Sequence, residues 1–210
     1  MADDDLFVTH NQASGATRSV ERVAALRSLP ADAVDTNAIE DGAVTAPKLD
    51  ASAIGQGFLE IGRTTLGSAG DLISVTGLPA RKYLRIFITT INSGSITYVL
   101  RFNNDSGNNY ARRISSNGGA DATGTGQSAA LTMSGRGFTV IKVFNEAASE
   151  KLCIASSTLQ STAGAGTAPN RAEYAGKWAN TSDQITRVDV VNTDSGDFAS
   201  GSEVVVLGKN

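Results

Sequence analysis

The sequence is short of most residues from which reactive sites are built. One cysteine, Cys153, excludes a disulfide framework within the chain, and one histidine, His10, is the only residue on which a Ser-His-Asp or Cys-His site could be founded. Zinc sites of the His/Cys type lack ligands for the same reason. No apolar run approaches the roughly 18 residues that span a bilayer, so no membrane partner is expected. The formal net charge of −3 and isoelectric point of about 5.2 lack the basic footprint of a nucleic-acid binder. The acidic stretch Met1–Phe7 has neither the basic nor the apolar region of a signal peptide, and the expectation is a soluble chain made in a cytoplasm.

Phosphate and cofactor motifs are missing too. There is no Walker A sequence, and Gly124-Thr125-Gly126 has neither the third glycine nor the strand-to-helix setting of a dinucleotide fingerprint. No cofactor is expected. The body's carboxylates sit mostly in turn-like sequences such as Asp194 and Asp197, where capping of nearby amides is their ordinary work, so the chain is read as a non-enzyme. Two similar loops, Asn103–Asn108 and Asn192–Asp197, alternate oxygen-bearing side chains as a calcium loop does. The twelfth position from Asn103, where a bidentate glutamate belongs, is Ile114, and turns are the expected role.

What is present is glycine, 22 residues against 4 prolines, among serine, threonine, alanine and asparagine, with only 19% charged residues. That mixture suits short strands joined by many turns. The 210 residues divide unevenly: residues 1–57 hold 9 acidic and 4 basic side chains, net −5, and residues 58–210 hold 12 and 14, net +2. The first part has a single aromatic residue, Phe7, and mostly Ala and Val as its apolar positions. It buries too little area to offset its own ordering entropy and is expected to take its shape from another chain.

Within this arm, Arg18–Leu29 places Val20, Val23 and Ala24 on one helical face and ends at Pro30. A helix of about three turns docked on a neighbour is expected, since so short a run makes no stable coiled coil alone. Over Asn37–Gly55, Ile39, Val44, Leu49 and Ile54 recur at intervals of five, a spacing that fits neither helix nor strand, with Gly42 and Pro47 as breakers. These four are the candidate partner-binding anchors of an extended path along another chain.

From Phe58 the pattern is that of strands. Tyr83–Ile91 and Ser95–Phe102 read as a hairpin turning at Asn92, Ser93 and Gly94, with Ile96, Tyr98, Leu100 and Phe102 on the core face. Further strands are expected over Leu72–Val75, Gly137–Asn145, Lys151–Ser157, Ala172–Trp178, Ile185–Val191 and Glu203–Leu207, with Ser115–Gln127 and Ser161–Pro169 as loops. About eight strands without intervening helices point to an all-β fold, an antiparallel jelly-roll-like β-sandwich over 58–210 preceded by the extended arm and its short helix. Tyr110, Arg112, Arg113 and Trp178 are candidate glycan contacts, because rings beside loops can stack on sugars; core packing is the competing role for the aromatic pair.

Two sets of residues carry a resemblance. IEDGAVTAPKLD, within Asn37–Ile54, resembles the DGAVT..KL segments near the N-termini of tailed-bacteriophage fibre proteins. Leu100–Tyr110, Lys177-Trp178, Ile185-Thr186 and Phe198–Ser202 are similar to stretches of the compact β modules on phage capsids, tails and fibres. The resemblance implies a virion structural protein, a short fibre or decoration. It further implies a homotrimer whose arm attaches to capsid, neck or tail proteins while the body projects, with a host surface glycan as the alternative ligand.

Overall fold

The computed structural model of the chain describes residues 57–160 and 162–210, together with the pairs 10–11 and 16–17. The chain divides into two units, Met1–Gly55 and Gln56–Asn210. In the first, β1 (His10–Asn11) pairs antiparallel with β2 (Ala16–Thr17). The helix expected over Arg18–Leu29 and the anchors Ile39, Val44, Leu49 and Ile54 lie outside the described residues.

The second unit is all-β and antiparallel, with no helix among its described residues. A large sheet runs in the order β3 (Leu59–Thr65), β16 (Glu203–Lys209), β5 (Tyr83–Thr90), β11 (Gly137–Phe144), β12 (Lys151–Leu159), β13 (Asn170–Trp178), β8 (Tyr110–Ser116) and β9 (Ala122–Gly126). A smaller sheet runs β10 (Ala130–Ser134), β7 (Thr97–Phe102), β14 (Val188–Asn192) and β4 (Leu72–Val75). A short ladder joins β15 (Asp197–Phe198) to β6 (Asn92–Ser93).

The inner faces of the sheets share one core. Alternate residues of β5 (Leu84, Ile86, Ile88) and of β7 (Tyr98, Leu100, Phe102) are at most 1% exposed, so each strand turns one full face inward, as its period of two dictates. Rings close the space between sheets: Phe102 of β7 lies 6.0 Å from Trp178 of β13 and 6.4 Å from Tyr110 of β8. Fully buried side chains of this size contribute roughly 1.5–3 kcal/mol each. On β13 the packing reaches the backbone, because a Cβ on Gly176 would overlap the Ala129 carbonyl oxygen. Only glycine lets the chain segment leading into β10 lie that close.

The expected hairpin between Tyr83–Ile91 and Ser95–Phe102 is corrected: β5 belongs to the large sheet and β7 to the small one. Between them, Asn92–Ser93 pairs with β15, the Ile91 carbonyl accepts from Ala199 N at 2.7 Å, and Thr193 N donates to the Thr97 carbonyl at 2.7 Å. The link's backbone groups are thus engaged by residues 193–199 and carry the chain from one sheet to the other. Both runs show the same alternation, and alternation does not tell whether two strands share a sheet.

The loop expected over Ser115–Gln127 is also corrected, since it contains β9. Asn117 and Gly118, with φ of 51° and 77°, turn the chain so that Gly119 N donates to the Ser116 carbonyl at 2.8 Å, and β8 and β9 pair as a hairpin. The turn reading of Asn103–Asn108 agrees with φ values of 51° and 58° at Asn103 and Asn104.

Candidate functional site

Several ionisable side chains of the body are engaged in holding it together. Cys153, 4% exposed among core residues, has its thiol pushed up to about 12 by burial. Such a thiol is not a nucleophile at neutral pH. Lys151 is fully buried and donates to three backbone carbonyls, those of Asn180 (2.8 Å), Ser149 (2.9 Å) and Ala147 (3.2 Å), with its ammonium 5.8 Å from the Trp178 ring centre. Asp105 is pushed up by burial, but hydrogen bonds from Trp178 Nε1 (2.7 Å), Asn109 and the Gly107 amide outweigh this and hold it below the usual carboxylate range. Asp194 is lowered by Ser95 Oγ and the Ser195 amide. Among the described residues no group of three His, Cys, Asp or Glu side chains is placed to hold a metal.

The four candidate glycan contacts come together only in part. Tyr110 and Trp178 are adjacent, their rings 6.2 Å apart and 16° from parallel, but they are 2% and 1% exposed and offer no face to a sugar. The Tyr110 hydroxyl, whose pKa burial raises, donates to the Asp105 carbonyl at 3.1 Å and accepts from Phe102 N at 3.1 Å. Their proposed role in stacking is therefore corrected: large ring area and tethered polar tips make them core residues. Arg112 donates to Ser128 Oγ at 3.0 Å, and the exposed Arg113 pairs with Asp121 at 3.0 Å.

An open basin of about 700 Å³ lies where Asn92, Ser95, Arg136, Gln160 and Asn170 meet. Among the described residues its lining combines the side-chain amides of Asn92, Gln160 and Asn170, the Ser95 hydroxyl and Arg136 with Ile91, Ile96 and Leu159, and contains no aromatic ring.

The outer face of the large sheet is different. Registers place Lys209, Tyr83, Phe144, Leu152 and Lys177 in one row across the sheet, and Leu207, Arg85, Lys142, Ile154 and Ala175 in the next. Leu152 is 53% and Ile154 57% exposed, beside Tyr83 at 42%. These ten positions include five large apolar side chains and four cations; the second row continues from Leu207 to Glu60, which pairs with Arg63, and Lys177 pairs with Glu150 at 2.8 Å. At their edge the Phe58 ring lies 4.9 Å from the Arg85 guanidinium, whose buried Nε has no hydrogen-bond partner. Two hollows indent this face. One, of about 370 Å³, is lined by Phe58, Tyr83, Lys142, Phe144 and Ile154; the other, of about 630 Å³, by Arg113, Thr123, Thr125, Leu152 and Lys177.

Sequence reasoning missed this band. Its signal was in KLCIASS, where Leu152 and Ile154 alternate with the equally apolar Cys153 and Ala155, marking a strand with two apolar faces. No family model, curated protein or solved structure matches the chain.

Proposed function

We propose that the chain is a structural component of a phage particle. In this reading residues 1–57 anchor it to capsid, neck or tail proteins, and the body projects as a decoration or short fibre within a homotrimer, without catalysis. One observation carries the reading: the most conspicuous exposed feature of the body is an apolar, cationic sheet face, the surface of a subunit, while its buried ionisable groups hold turns and strand ends. The resemblance of IEDGAVTAPKLD to phage fibre segments supplies the virion setting.

The strand order supports a jelly-roll form of the fold. Omitting the hairpins β8–β9 and β12–β13, the large sheet reads β3-β16-β5-β11 and the small one β4-β14-β7-β10. The chain then visits large, small, large, small, small, large, small, large, the sequence of visits that a double Greek key would produce. Deleting residues 1–57 is expected to abolish incorporation into particles, measured by protein analysis of purified virions; undiminished incorporation refutes the proposal.

A second reading, a host-glycan module, draws on the amide-rich basin. Its contacts are then Asn92, Arg136, Gln160 and Asn170 rather than the buried Tyr110 and Trp178. Retention of a defined glycan on an array, lost on Arg136→Ala, favours it over the purely structural role.

A further inference from the structure

We propose that the apolar, cationic band on the large sheet binds residues 31–55 of a neighbouring copy of this chain. The inference deepens the structural reading above and rests on its oligomer. Leu152 and Ile154 leave more than half their area in water, at the centre of the sheet rather than scattered, and a concentrated apolar face of this kind marks an interaction surface. Its cations decide the occupant. Arg85 and Lys142 make no ion pair among the described residues, and the neighbouring carboxylates Glu60 and Glu150 are engaged by Arg63 and Lys177, so two such faces laid together repel at their centres. The fitting surface alternates carboxylates with aliphatic side chains.

Residues 31–55 have that composition. Asp32, Asp35, Glu40, Asp41 and Asp50 stand against the single cation Lys48, with Ile39, Val44, Leu49 and Ile54 distributed among them. The dimensions agree as well. The hollow at Phe144 is centred on β11 and the one at Lys177 between β13 and β8, two and a half strand spacings apart, or roughly 12 Å. A five-residue stride of chain reaches at most about 16–18 Å, so successive anchors can enter the two hollows while the carboxylates between them meet Arg85 and Lys142. Phe58, the second described residue of the body, already lies on Arg85 at the margin of this band. Residues 1–30 are left to engage the particle.

The test is self-association of the purified full chain by analytical ultracentrifugation across protein concentration. The wild type is expected to oligomerise. Reversing the band with Arg85→Glu and Lys142→Glu weakens association at least tenfold, and so does reversing the segment with Glu40→Lys and Asp41→Lys. Combining all four changes restores it to within about threefold of wild type, since the swapped charges again attract. A monomeric wild type, association indifferent to either reversal, or a combination no better than the single reversals overturns the proposal. The Glu40 and Asp41 substitutions lie outside the body, so they remain decisive if the band variant fails to fold. An oligomer insensitive to the swaps removes this inference and leaves the virion reading standing, because incorporation into particles is measured separately.

Discussion

Strand β12 turns a lysine inward and a leucine and an isoleucine outward, and its two sides differ in how each displaced residue is treated. Inside, Lys151 is wholly removed from water, but its three protons each meet a carbonyl and a ring lies beside it, so a costly burial is locally complete. Outside, nothing in the described body covers Leu152 and Ile154, which are 53% and 57% exposed. A buried cation with every donor satisfied is a finished piece of architecture. An uncovered aliphatic pair between cations is left open to any surface that matches it.

The sharpest way to break this contrast is Lys151→Ala. It leaves the carbonyls of Ala147, Ser149 and Asn180 without their donor and opens a hollow under Trp178, and a loss of about 4 kcal/mol in urea unfolding is expected. Gly176→Ala, on the same inner face, should cost about 2–3 kcal/mol by forcing β13 away from the Ala129 carbonyl, read as a lowered urea midpoint at unchanged slope.

Asp105→Asn tests the polar anchor at the end of the inner face. Replacing a carboxylate that accepts from Trp178, Asn109 and the Gly107 amide is expected to cost about 1–2 kcal/mol at pH 7. Because the folded pKa of Asp105 lies below its unfolded value, its stabilisation is complete above about pH 4 and is lost as pH falls through the folded pKa. The gap between wild type and variant should therefore narrow between pH 5 and pH 2, and a gap constant with pH would contradict the role given to its charge. The smallest effect is expected outside: in the Arg85→Glu, Lys142→Glu background, Ile154→Ser should alter unfolding free energy by no more than about 0.5 kcal/mol. A larger loss would mean that Ile154 is packed within its own protomer.

Much of the framework is legible in the sequence. Leu72–Val75 forms the strand expected, and Ile96, Tyr98, Leu100 and Phe102 all turn inward with no exposed area, since strict alternation beside β-branched neighbours admits one arrangement. Partnership between strands was not legible, because the run from Tyr83 and the run from Ser95 carry the same pattern whether they join one sheet or two. β8 and β9 escaped notice for a different reason: YARRISS and ATGTG lie at the far margin of the large sheet, where little needs burying and the apolar signal fades. Sequence neighbours left Trp178 and Tyr110 between core packing and stacking on a sugar, and it is their approach to Phe102 from the opposite sheet that makes them core.

The hairpins β12–β13 and β8–β9 both extend one sheet from the same side, beyond β11. Whole ribbons at one margin leave the threading of the remaining strands untouched, so the width of this plate is set in steps of two strands. Their inward residues, Trp178 and Tyr110 among them, complete the interior, so the breadth of the outer face and the closure of the core are set by the same two ribbons.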